Sequence, residues 1–159
     1  WGKTEKGFSE LYAQCSASVR QFTQGAGAHP VIATGHSLGG ALSTLATADL
    51  VQAGVAGTAL YNFASPRTGD PQFARTTTQR VPACWRVVNT EDLVTTVPLA
   101  TPDLAGGTLP AFSTLGLALK ATHQLDYMHV GAPLSFTEHR GSIVANHDMQ
   151  LYDQVMQSL

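Results

Sequence analysis

Residues 35–40 read Gly-His-Ser-Leu-Gly-Gly and join two segments of opposite character. Before them lies the apolar run Val31-Ile32-Ala33-Thr34; after them comes the small-residue run Ala41-Leu42-Ser43-Thr44-Leu45-Ala46. A buried strand over 30–34 that feeds a helix over 38–53 leaves no room for an ordinary loop. The chain must reverse on one residue. Gly-x-Ser-x-Gly at such a junction is the nucleophile-elbow pattern, in which a tight turn projects the serine Oγ above the carboxyl edge of a sheet. Side chains two residues before and after would crowd the turn, so glycine is expected at 35 and 39. The turn also aims the N-terminus of the helix at the serine, where the backbone N–H of Leu38 can stabilise an oxyanion. The rival reading is a glycine-rich helix entry that binds phosphate. It lacks the lysine of a P-loop and the glycine spacing of a dinucleotide fingerprint.

The rest of the chain alternates in the same way. Phe8, Leu11, Tyr12, Cys15, Val19 and Phe22 recur at helical spacing and predict one amphipathic helix over 7–23. Strands are expected at 58–64 and 84–89. Between them, Asp70 suits an N-cap and Pro71 the first helical position of a short helix. Residues 126–136 read as one strand, or two around Gly131, and the chain closes on a helix that carries Met149, Tyr152 and Met156 at compatible spacing. Strands alternating with helices predict a parallel sheet in a single α/β domain.

A serine hydroxyl is a weak nucleophile near neutral pH and needs a base, which in turn needs an orienting acid. With this elbow the chain order is serine, acid, histidine. Glu91 and Asp92 follow the 84–89 strand; Asp92 is favoured and Glu91 is the alternative. Of six histidines, His29 and His36 come too early for the base. His129 lies in an apparent strand and reads as a satisfied, half-buried side chain. His139 lies in a polar turn, and His123 also follows the acid. His147 precedes the last helix, where a loop at the sheet edge would present it. Asp92 stands 55 residues past Ser37, and His147 a further 55 past Asp92, which leaves room for the crossovers.

Composition excludes several classes. Charged residues are only 13% of the 159, against about 25% in typical domains, so the chain is not of the disordered type. The net charge is −2 and the only lysines are Lys3, Lys6 and Lys120, which gives no electrostatic footprint for nucleic acid. No apolar run is long enough to span a bilayer; Pro102, Asp103 and Pro110 interrupt the richest stretch. That stretch, 99–122, either caps an acyl groove with Leu104, Leu109, Phe112, Leu115, Leu117 and Leu119 or is an ordinary packed excursion. Cys15 and Cys84 have neither CxxC nor metal-ligand spacing and read as buried free thiols, with one disulfide as the alternative. The opening Trp1-Gly2-Lys3 shows no signal-peptide pattern, so compartment is left open, secretion included.

"GHSLGG", "ASPRTGDPQFA", "RVVNTEDLVTTVP", "YMHVGAPL" and "NHDMQLY", in this order, resemble the class 3 lipase family, the fungal-lipase-like α/β hydrolases. The similarity runs from Gly7-Phe8 to Tyr152. It implies an α/β-hydrolase-type, mostly parallel sheet with flanking helices. It further implies Ser37 as nucleophile, Asp92 as the acid in Asn89-x-x-Asp92-x-Val94, and His147 as the base in a context ending at Tyr152. Arg67 and His129 match positions read as structural. The implied activity is carboxylic-ester hydrolysis through an acyl-enzyme, with no metal or organic cofactor, a lipid or other ester as substrate, and transient contact with a lipid interface. Phospholipase A1, other esterases and a non-catalytic scaffold are the alternatives. Family members carry a long part before the Gly-Phe helix, with further strands, a lid and the second oxyanion donor. The chain is therefore expected to be one domain, 1–159, incomplete at its N-terminus, with the missing part supplied by a parent chain or a second chain. Without it, the strand before Gly35 would be an exposed edge.

Overall fold

The computed structural model describes residues 1–25, 27, 29–98 and 126–158. The 99–122 stretch and His123 lie outside them. Four parallel strands form one sheet in the order β1-β2-β3-β4: β1 (Ile32–His36), β2 (Ala59–Phe63), β3 (Ala83–Asn89) and β4 (Ala132–Phe136). Helix α3 (Leu38–Gln52) crosses from β1 to β2, and α4 (Pro71–Arg80) from β2 to β3. Helices α1 (Lys6–Ala13) and α2 (Ser16–Gly25) precede the sheet; α5 (Ile143–Asn146) and α6 (Met149–Gln157) follow it.

Side chains alternate across a strand, so each strand feeds two cores. On one face Leu60 and Cys84 pack with Leu45 and Ala48 of α3 and with Phe73 and Ala74 of α4. On the other face Val87 and Phe63 pack with Tyr152 and Met156 of α6 and with Phe136. The small residues of α3 let it lie close to the sheet: a Cβ on Gly40 would sit 2.8 Å from Ser65 Cβ. Buried hydroxyls on this helix are satisfied within it, Ser43 and Thr44 donating to the Gly40 carbonyl at 3.0 and 2.8 Å and Thr47 to Ser43 O at 2.8 Å. The expected cap of α4 is present, with Asp70 Oδ1 accepting from the Phe73 N–H at 2.7 Å and Pro71 in the first turn.

Three expectations need correction. The single helix over 7–23 is broken at Gln14–Cys15, where Gln14 N–H donates to Leu11 O at 3.2 Å and Cys15 N–H to Tyr12 O at 3.0 Å, three residues back instead of four. The break lets both halves reach one carboxylate on α3: Tyr12 Oη and Arg20 Nε each donate to Asp49 Oδ2 at 2.8 Å. Arg20 holds the Asp49 carboxyl below its usual range. Cys15 is exposed, Cys84 is buried, and both are free thiols. The strand expected over 126–136 is confined to Ala132–Phe136; Met128 contributes only an isolated antiparallel bridge to Gly69.

Among the described residues β1 pairs with β2 alone, and Ile32 is 65% exposed. No helix among them is long and apolar enough to cross a membrane. Leu60 is fully buried between the sheet and two helices. Leu60→Ala should lower unfolding free energy by about 2–5 kcal/mol, read as a shifted urea midpoint. A midpoint equal to wild type would mean that this face is not the main core.

Candidate active site

The carboxyl ends of all the strands point to one edge of the sheet, since every pair is parallel. Ser37 follows the last residue of β1 and begins α3, with φ 58° and ψ −126°. That conformation is rare for a residue with a Cβ. It is held by the Ser37 N–H to Phe63 O at 3.0 Å, which continues the β1–β2 ladder, and by Gly40 N–H to Ser37 O at 2.9 Å. Any side chain at residue 35 would run into the backbone of Gly39 and would lie 2.8 Å from Gly40 N. The expectation for Gly39 is not met, because a Cβ there meets nothing within 4 Å. The second tight glycine is Gly40, against Ser65.

The structure brings three of the sequence's candidates together. Ser37 Oγ lies 2.7 Å from His147 Nε2, and His147 Nδ1 lies 2.7 Å from Asp92 Oδ2. A carboxylate only accepts, so Nδ1 carries the ring proton and Nε2 presents its lone pair to the Ser37 hydroxyl. Asp92 is 1% exposed, and its Oδ1 caps the 3₁₀ turn Leu93–Thr96 by accepting from Val94 N–H at 3.0 Å. Glu91, the alternative acid, instead meets His139 Nδ1 at 3.1 Å on the surface. The Leu38 N–H stands at the start of α3, beside Ser37, among the helix's orphan donors.

The spacing pattern gave no sign of the polar framework beneath. Tyr152 Oη donates to Asp92 Oδ2 at 2.7 Å and accepts from the Asn89 N–H at 3.0 Å. Burial, first, and then the Asp92 carboxylate push the Tyr152 phenol up, so it stays a neutral donor. Asn89 Nδ2 donates to Glu138 O at 2.8 Å and to Asn146 O at 3.2 Å; its Oδ1 accepts from Glu91 N–H and Glu138 N–H at 3.2 and 3.0 Å. Asn146 Nδ2 returns to Glu91 O at 3.1 Å. The acid loop and the histidine loop are thus tied to each other through two buried asparagines.

The stretch around Arg67 and His129 braces the chain after Asp92. Arg67 donates to the carbonyls of Thr96 and Pro98. His129 was expected to be satisfied, yet its buried Nδ1 has no partner among the described residues. Burial, with Arg86 and Arg67 nearby, pushes His129 down to about 3. No group of three or more metal-ligating side chains occurs among the described residues.

Residues 1–101 match the family model described as lipase (class 3). A secreted mono- and diacylglycerol lipase of Fusarium solani is 38% identical over 96 residues, 58% of this chain and 28% of the relative. The chloroplastic/mitochondrial phospholipase A1 EG1 of Oryza sativa subsp. indica is 28% identical over 148 residues, 90% of this chain and 32% of the relative. The Rhizomucor miehei lipase in its propeptide complex superimposes with a TM-score of 0.61 at 29% identity, covering 85% of this chain and 39% of that one. The chain therefore spans about a third of the length of these curated relatives.

Two outcomes follow from this geometry. Gly35→Ala should collapse the turn and lower the thermal midpoint sharply, whereas Gly39→Ala, in open space on a helix, should leave it unchanged or raise it by up to about 1 kcal/mol of stability. For His129 the folded pKa lies below the unfolded one, so the unfolded chain takes up the proton first as pH falls. The contribution of His129 is present above its unfolded pKa and is lost as pH falls from about 6.5 towards about 3. His129→Gln should flatten that part of the stability–pH curve; an unchanged slope in urea titrations would remove His129 as its source. The match over most of its length, together with the likeness of fold, places this chain in the class 3 lipase family, on an α/β-hydrolase sheet.

Proposed function

We propose that this protein hydrolyses carboxylic esters of lipids through an acyl-enzyme, with Ser37 as nucleophile, His147 as general base and Asp92 as the orienting acid. One observation carries the reading: the unbroken hydrogen-bond chain Ser37 Oγ–His147–Asp92, with 2.7 Å at both links. It is supported by the buried carboxylate and by the strained backbone of Ser37.

The chemistry runs as follows. His147 Nε2 takes the Ser37 proton as Oγ attacks the ester carbonyl carbon. Asp92 stabilises the imidazolium that forms and keeps its tautomer. The oxyanion develops at the N-terminus of α3, where the Leu38 N–H supplies one donor and the helix dipole adds to it. His147 then returns the proton to the leaving alcohol. In the second half it deprotonates a water that attacks the acyl carbon, and it returns that proton to Ser37 Oγ as the acyl–Oγ bond breaks and the free acid leaves. Each step conserves protons within Ser37, His147, substrate and water, so no cofactor takes part in this scheme.

The substrate class follows from kinship: the relatives are named as a mono- and diacylglycerol lipase and as a phospholipase A1. We assign a glycerolipid acyl ester to this chain. Contact with a lipid interface fits Leu38, Leu93, Val144 and Met149, exposed apolar residues that flank Ser37, Asp92 and His147 in sequence. We also take residues 1–159 as part of one α/β-hydrolase domain whose sheet continues past β1, because that strand's outer edge is unpaired among the described residues.

A serine-reactive fluorophosphonate should label the full-length protein, and Ser37→Ala should abolish the labelling. Asp92→Asn should lower kcat/KM on an acylglycerol by about 10⁴-fold through loss of the correct tautomer. A folded protein that takes no label would favour a non-catalytic scaffold.

A further inference from the structure

His36 lies between the two glycines of the turn, too early in the chain to be the base, and no step of the proposed reaction uses it. It is the last residue of β1 and stands directly before Ser37. Its side chain returns to the histidine loop: His36 Nε2 lies 2.8 Å from the backbone carbonyl oxygen of His147. The two imidazole rings are 4.7 Å apart between centroids, tilted by 38°. The ring of Tyr152, which holds Asp92, has its centroid 5.7 Å from that of His36 and meets it edge-to-face at 75°. One imidazole thus touches the backbone of His147 and flanks the ring that would receive the Ser37 proton.

A carbonyl oxygen only accepts, so His36 Nε2 carries a proton whether the ring is neutral or charged. Any second proton must enter at Nδ1. The charged ring would place a full positive charge next to His147, where like charge disfavours a second imidazolium. The groups that face His36 are His147 from the loop before α6, Asp92 from the turn after β3, and Asp148 at the cap of α6. Burial and then His147 push its pKa down, while the His147 carbonyl, Asp92 and Asp148 oppose that shift. The net effect lowers the His36 pKa, which favours its neutral ring beside His147.

We propose that His36 is a positioning residue for His147: its Nε2–H pins the His147 carbonyl, and its neutral ring is required for His147 to accept the Ser37 proton. The proposal rests on Ser37 and His147 being nucleophile and base. It adds a second ionisation on the acid side of activity. A charged His36 ring, 4.7 Å from that of His147, would oppose the imidazolium that forms when His147 takes the Ser37 proton. The hydrogen bond to the His147 carbonyl needs a donor at residue 36 but not a titratable one, so this role separates from plain packing.

The test measures the rate of Ser37 phosphonylation by a fluorophosphonate in the full-length protein, from about pH 8 to about pH 4. Glutamine places an N–H where Nε2 stands and does not titrate; phenylalanine keeps a ring and has no donor. His36→Gln should stay within about threefold of wild type near pH 8 and show a one-proton acid limb, where wild type shows a steeper one. His36→Phe should be about tenfold slower across the range, with the same one-proton limb. Thermal unfolding reads folding separately, and if the Phe variant does not fold, the acid limbs of wild type and Gln decide alone. Equal rates for Phe and wild type, equal losses in Gln and Phe, or identical acid limbs in wild type and Gln would overturn the proposal. Absence of labelling in wild type would instead remove Ser37 as nucleophile and the proposal with it.

Discussion

The reversal at Ser37 sets the terms for everything above the sheet. A residue with a Cβ at φ 58° is held there at a cost of about 1–3 kcal/mol, so the surroundings must fix it from several sides. The fixing is done by β2. His36 stands in register with Phe63, and the Phe63 carbonyl takes the Ser37 N–H one step later at 3.0 Å. Gly35 lets the first turn of α3 fold back onto the strand, and Gly40 lets that helix close onto Ser65. The neighbouring strand ends in a second unusual residue, Ala64 at φ 51°, tied to Val87 O at 3.0 Å. The elbow is therefore a property of two adjacent strand ends and the helix between them, not of six residues alone.

Beneath the elbow, geometry depends on buried polar side chains that bind backbone. Asp92 and His147 sit on loops, and loops hold position only where their polar groups are satisfied. Asn89 and Asn146 do this by trading bonds with the carbonyls and amides of residues 91, 138, 140 and 146. Tyr152 closes the network from α6, since the helix that follows His147 also supplies the hydroxyl that orients Asp92. Removing any of these would leave an orphan donor or acceptor in a buried site, which costs about 1–3 kcal/mol before any catalytic effect.

What could be read from the chain follows from what leaves a period or a spacing. Buried parallel strands appear as short apolar runs, so β1, β2 and β3 were legible to within two residues. The α4 start was legible because Asp70 and Pro71 have fixed roles at a helix entry. Helix 7–23 was misread as continuous because its break leaves the apolar spacing intact; Asp49, which both halves bind, lies on another helix. Gly39 was credited with the crowding that belongs to Gly40, because contact with Ser65 is a tertiary fact and the pentapeptide pattern is a local one. Asn89 and Asn146 were visible only as members of the matched motifs, and the His36 bond carried no signal. Single polar residues at the ends of β1, β3 and α5 become a framework only when chain segments separated by 49 to 111 positions meet.

The spatial order of the strands explains why the histidine has to come last. Ser37 follows β1 and Asp92 follows β3, with β2 between them. Two strand spacings separate their backbones by about 9.5 Å, too far for a serine and an aspartate to touch. A group with two nitrogens on opposite sides of a ring can fill that gap, donating from one and accepting at the other. His147 does so from a loop beyond β4, arriving over the edge of the sheet rather than from a strand between the two. That approach leaves its ring without a strand of its own to fix it. The ring is fixed instead by what flanks it: Asp92 at one nitrogen, Ser37 at the other, and His36 on its own carbonyl.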